Sequence, residues 1–120
     1  MTSATEKICN FNYLVQMMGG KKQVINDILD AFLKQLPEEL KAINDAIIVK
    51  DFTVIKNFAH SMRSSVSIMD IAVLKPVLQE MENLAIAGSD IERITELNVQ
   101  LNTLCKQAVD EVEKEKLNYV

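Results

Sequence analysis

Residues 52–69, FTVIKNFAHSMRSSVSIM, decide how the rest of the chain is read. Their apolar members Phe52, Ile55, Ala59, Met62, Val66 and Met69 recur at intervals of three and four, the period of one helix face rather than the alternation of a strand. Asp51 stands directly before them, where its carboxylate can accept a backbone amide of the first turn. The spacing predicts an amphipathic helix. Its polar flank carries Thr53, Lys56, Asn57, His60, Arg63, Ser64 and Ser67.

The same period extends in both directions. Upstream, Ile25, Ile28, Leu29, Phe32, Leu36, Leu40, Ile43 and Ile47 form one stripe within residues 21–48. Pro37 lies inside it and either bends a long helix or opens a new one, with Glu38 and Glu39 complementing the new dipole; the long bent helix is the expectation. Downstream, Asp70 is a capping candidate before the stripe Ile71, Leu74, Leu78, Met81 and Ala85. Pro76 there marks a kink or a late start, and Gly88 a stop. Ser89 and Glu92 have capping-box spacing and open a last helix along Ile91, Ile94, Leu97, Leu101, Leu104, Ala108 and Val112, ending near Leu117. Asn10 can cap a short helix over 11–18, closed by Gly19 and Gly20. Four long amphipathic helices with short connections predict an all-α fold, an antiparallel up-and-down four-helix bundle with a short extra N-terminal helix as a lid. The domain spans 10–117 and follows a flexible N-terminus, 1–9.

Composition narrows the function. The 120 residues suit one domain, and 48% hydrophobic and 25% charged residues with 3 Gly and 2 Pro suit an ordinary globular protein. The net charge of −4 lacks the basic face that a phosphate backbone requires, so no nucleic acid is expected as partner. No apolar run approaches the roughly 20 residues that span a bilayer, and the start MTSATEKICN is no signal peptide. No membrane association is expected, and the location is read as cytoplasmic. Cys9 and Cys105 stand far apart, which argues against a disulfide framework. Cys105 is read as a small buried hydrophobe and Cys9 as a thiol near a loose end, open to adventitious oxidation. A single histidine without CxxC gives no structural zinc site, and Asn57, three residues before His60, replaces the Glu of a di-iron motif. No metal is expected.

His60 carries the unusual chemistry. A solvent-facing imidazole keeps a large neutral fraction near pH 7, so one ring nitrogen offers a lone pair to a phosphoryl group. Arg63 at i+3 and Lys56 at i−4 bring positive charge to the space that phosphoryl would occupy, and Ser64 is small enough to let a partner close over the ring. A solvated helix face can also contain such residues with no function, and local chemistry alone leaves both readings open.

The segment FAHSMRSSVSIMDIAVLKPVLQEMENL resembles the motif of histidine-containing phosphotransfer (HPt) domains: Ala-His, an apolar residue at +2, a basic one at +3 and small ones at +4 and +5. Ala59, His60, Met62, Arg63, Ser64 and Ser65 fill those places. The stretch GGKKQVINDILDAFLKQLPEELKAINDAI is similar to the family's leading helix, and the likeness covers about residues 10–112. Three departures stand out. Arg63 replaces the usual Lys, Ser64 the usual Gly at +4, and Asp70 the common Gly at +10; they bear on partner affinity more than on the nucleophile.

The resemblance implies a phosphocarrier of a multistep two-component phosphorelay rather than a kinase. His60 would accept a phosphoryl group from the aspartyl phosphate of a response-regulator receiver domain, or of a hybrid histidine kinase, and pass it to another receiver. Arg63 and Lys56 would stabilise the phosphoryl group, and Thr53, Asn57, Ser64 and Ser67 would face the partner. Met17 and Met18, at the end of the first helix, would add an apolar docking patch or fill the core. No cofactor of its own is implied, since Mg²⁺ belongs to the receiver's acidic site. A monomer is expected. The alternative is a non-catalytic receiver-binding adaptor, motivated by Ser64 and Asp70.

Overall fold

The computed structural model describes residues 6–119. A short helix α1 (Asn12–Met17) precedes four long ones: α2 (Lys22–Ile48), α3 (Phe52–Ile68), α4 (Lys75–Ala87) and α5 (Ile91–Lys116). Single 3-10 turns occupy Ala72–Leu74 and Leu117–Tyr119. Helix α2 packs on α3 and α5, and α4 on the same two, so the four helices close a ring around one core. This is the antiparallel four-helix bundle that the stripes predict, with the short helix added in front.

Core positions follow the apolar period. Ile25, Leu29, Phe32, Leu36 and Ile43 of α2, Ile55, Ala59, Met62 and Val66 of α3, and Leu78, Met81 and Ala85 of α4 are buried. On α5 the stripe rotates by one residue at its centre: Cys105 is buried and Leu104 only partly so. Helix α2 runs through Pro37 without a break. An exposed proline costs it one amide donor, and packing of the stripe on both sides of it holds the rest.

Two helix ends fall where the sequence places them. The Val54 amide donates to Asp51 Oδ1 at 3.2 Å, capping α3. Gly88 takes the left-handed conformation, φ 64°, and stops α4. Two expectations are corrected. Asp70 caps no following helix; it adopts φ 50° and closes α3 instead, and α4 begins only after the 3-10 turn, with Pro76 in its first turn. The cap of α5 is Asp90, whose Oδ1 accepts from the Arg93 amide at 3.2 Å, and not Ser89. Asp90 competes for the same amides from one residue later.

The expected flexible N-terminus, 1–9, divides at the edge of the described residues. Residues 1–5 lie outside them. Further on, the Ile8 and Cys9 amides donate to the Glu111 carboxylate on α5, at 3.0 and 2.9 Å, and so belong to the bundle. Cys9 is thus buried rather than loose, and burial together with the Glu111 charge pushes its thiol far up, away from the reactive thiolate. Burial pushes the Cys105 thiol up as well, to about 12.

Candidate functional site

Helix α3 presents His60 at its middle, one residue after the buried Ala59, so the backbone beneath the imidazole is fixed by the core. Its side chain is 69% exposed. One ring nitrogen is engaged: Nδ1 lies 2.8 Å from Oε2 of Glu82 on α4. The other carboxylate oxygen of Glu82 accepts from Arg63 Nη1 at 2.9 Å. A single carboxylate therefore bridges the histidine and the arginine, and crosses from α4 to α3 to do so.

Glu82 is the one buried charged side chain among the described residues. Burial alone pushes its carboxyl up, but hydrogen bonds from Arg63 and His60 outweigh that and hold it below the ordinary glutamate value. It stays ionised at neutral pH. An anion beside Nδ1 favours the proton on that nitrogen, which leaves the lone pair on Nε2, the nitrogen away from the carboxylate.

Sequence reading did not single out Glu82. A signal existed: Leu78, Met81, Glu82 and Ala85 share one face of α4 at i, i+3, i+4 and i+7, and a carboxylate on an otherwise apolar face needs a partner.

The other expected site residues separate by position. Thr53, Asn57, Ser64 and Ser67 are exposed along α3, while Lys56 is half-buried on the same helix. Arg63, 42% exposed, is drawn back onto Glu82 in this state. Ser67 and Lys75 line two neighbouring grooves, one continuing to Arg63 and Gln79, the other to Met17 and Tyr13 of α1. Met17 is thereby brought to the same side of the bundle as the α3 flank. Met18 is not: it packs partly buried against the core. On the opposite side of the histidine, Ser61 faces α2, its hydroxyl donating to Glu39 Oε2 at 3.5 Å.

Among the described residues, no three His, Cys, Asp or Glu side chains are placed to hold a metal ion, and no helix is long and apolar enough to cross a membrane.

Comparison with known proteins converges on one family. The family model described as Hpt domain matches residues 27–115, a span that includes His60, Arg63 and Glu82 and omits α1. Among solved structures, the crystal structure of histidine-containing phosphotransfer protein B (HptB) from Pseudomonas aeruginosa PAO1 is similar. It has a TM-score of 0.86 and 20% sequence identity, over 97% of this chain and 100% of that one. At that identity the likeness concerns the fold. No curated protein sequence matches the chain significantly.

Proposed function

The chain belongs to the Hpt domain family, and on that premise we propose that His60 is the residue that accepts and returns a phosphoryl group. The family's work is histidine phosphotransfer within phosphorelays, carried out by a phosphocarrier module and not by a kinase. The finer reading is that His60 takes the phosphoryl group from a receiver-domain aspartyl phosphate and hands it to another receiver. The observation that carries it is the contact of His60 Nδ1 with Glu82 Oε2 at 2.8 Å beneath an exposed ring.

The chemistry follows from that contact. The Nε2 lone pair attacks phosphorus in line with the aspartyl oxygen; the N–P bond forms, the P–O bond breaks, and the aspartate leaves as carboxylate. Positive charge develops on the imidazole ring as it donates the pair. The Nδ1–H shares that charge and points at Glu82, so the carboxylate is best matched to the ring when the phosphoryl group is in transit or attached. Because the contact already exists in the free protein, only its strengthening as the ring gains charge lowers the barrier, and about 1 kcal/mol of such strengthening is about five-fold in rate. Lys56 and Arg63 supply positive charge on the same flank for the phosphoryl oxygens. Mg²⁺ comes with the receiver, in its own acidic site. The same steps reversed return the phosphoryl group.

Thr53, Asn57, Ser64 and Ser67, exposed along α3, are the part of this protein that a receiver meets first. Met17 extends that face with apolar surface.

The test is phosphoryl transfer from a panel of phosphorylated receivers with Mg²⁺. Acid-labile label is expected on the wild type and none on His60→Ala. That variant should keep its fold, with stability within about 0.5 kcal/mol, because an exposed ring is removed and Glu82 retains Arg63. Receiver binding that survives in His60→Ala, with no label on folded wild type from any donor, would replace this reading by the adaptor.

A further inference from the structure

Arg63 and His60 share one carboxylate through its two separate oxygens, and the two states of His60 change what each contributes there. Among the described residues, the Arg63 guanidinium is the permanently charged group hydrogen-bonded to Glu82, through Nη1 at 2.9 Å. It holds a nearly buried anion whose other hydrogen-bond partner is the His60 ring. After transfer, the ring keeps its Nδ1 proton and itself carries positive charge toward Glu82, which no longer needs the arginine. At the same moment a group bearing about two negative charges stands on Nε2. Arg63 is three residues from His60 on the same flank, with Cβ atoms about 5–6 Å apart, within reach of that group. It is 42% exposed, so its head can turn outward without unpacking the core.

We propose that Arg63 is a two-position latch, paired with Glu82 in the free protein and transferred to the phosphoryl oxygens in the phosphorylated one. This rests on His60 being the phosphoacceptor. The exchange conserves hydrogen bonds: Glu82 gives up a bond from Arg63 and keeps one from a charged ring, while Arg63 exchanges one anion for a stronger one. The consequence is a change in the face a receiver meets. The free protein presents an arginine drawn back against α4, and the phosphorylated protein presents it forward beside the phosphoryl group, released from its ion pair with Glu82.

The full chain, labelled with ¹⁵N and ¹³C, tests this when phosphorylated with a phosphoramidate salt and followed by ³¹P NMR. As the phosphohistidine signal grows, the Glu82 carboxyl resonance should move, and a cross-peak should connect the phosphorus with an Arg63 guanidinium proton. Both changes should reverse on hydrolysis. In Glu82→Gln, the Arg63 guanidinium protons should be protected from solvent exchange only after phosphorylation. A complete phosphohistidine signal at His60, with no cross-peak and Arg63 still bound to Glu82, overturns the latch and leaves the phosphoacceptor reading standing. No phosphohistidine signal from the folded wild type overturns both.

Discussion

At the scale of the residue, whether His60 is a nucleophile or a solvated side chain turns on which ring nitrogen carries the proton. The Glu82 carboxylate, nearly buried and held ionised by Arg63, decides that from the α4 side. Removing it frees the ring to place its proton on either nitrogen. Glu82→Ala is therefore expected to relax the preference for the Nδ1–H tautomer into a mixture, readable from the ¹⁵N shifts of His60, and to slow phosphorylation about five-fold. The fold should survive, since Arg63 is exposed enough to be solvated alone. An unchanged tautomer in the variant would remove Glu82 from the mechanism. At Cys9, nearness to a chain end predicts reactivity, and hydrogen bonds from the Ile8 and Cys9 amides to Glu111, together with burial of the thiol, remove it.

At the scale of the element, the C-terminal end of α3 and its seam with α2 each make a prediction. Asp70 closes it in the left-handed region, φ 50°. Glycine adopts that region freely and Asp tolerates it, which gives a physical reason for the residue types at this place. Asp70→Gly should change stability by no more than about 0.5 kcal/mol, whereas Asp70→Val, with a branched Cβ, should lose more than about 1 kcal/mol in urea unfolding. A harmless valine would mean that the backbone there is free to relax. Between α2 and α3, Glu39 Oε1 is buried without a hydrogen-bond partner among the described residues, and burial pushes its carboxyl up despite the Ser61 hydroxyl. The fold thus prefers the protonated form. Its contribution is complete below the ordinary glutamate value and is lost as pH rises through the raised folded value. Glu39→Gln should melt above the wild type at pH 7, with the gap closing toward about pH 4. A gap independent of pH would assign the effect to packing and not to charge.

At the scale of the whole molecule, the bundle was legible because burial and helical period are the same fact seen twice. Ile55, Ala59, Met62 and Val66 are apolar every three or four residues and buried for that reason. What the sequence left out was tertiary: Glu82 meets His60 across 22 residues of chain, and nothing in the local pattern of α3 announces a carboxylate from the next helix. Boundaries failed where two capping chemistries stood side by side, Ser89 against Asp90, and where Asp70 could serve as a start or as a stop. His60 itself was visible as an exposed imidazole within a family motif, and the bundle supplies the rigid backbone that presents it. The proposed chemistry of the bundle converges on one nitrogen atom. The direct measurement is the site of phosphorylation in the full chain charged by a receiver, mapped by ¹⁵N–³¹P correlation in NMR. The account predicts a phosphorus atom coupled to Nε2 of His60, with the proton retained on Nδ1. Phosphorus on Nδ1, or on any residue other than His60, would contradict it.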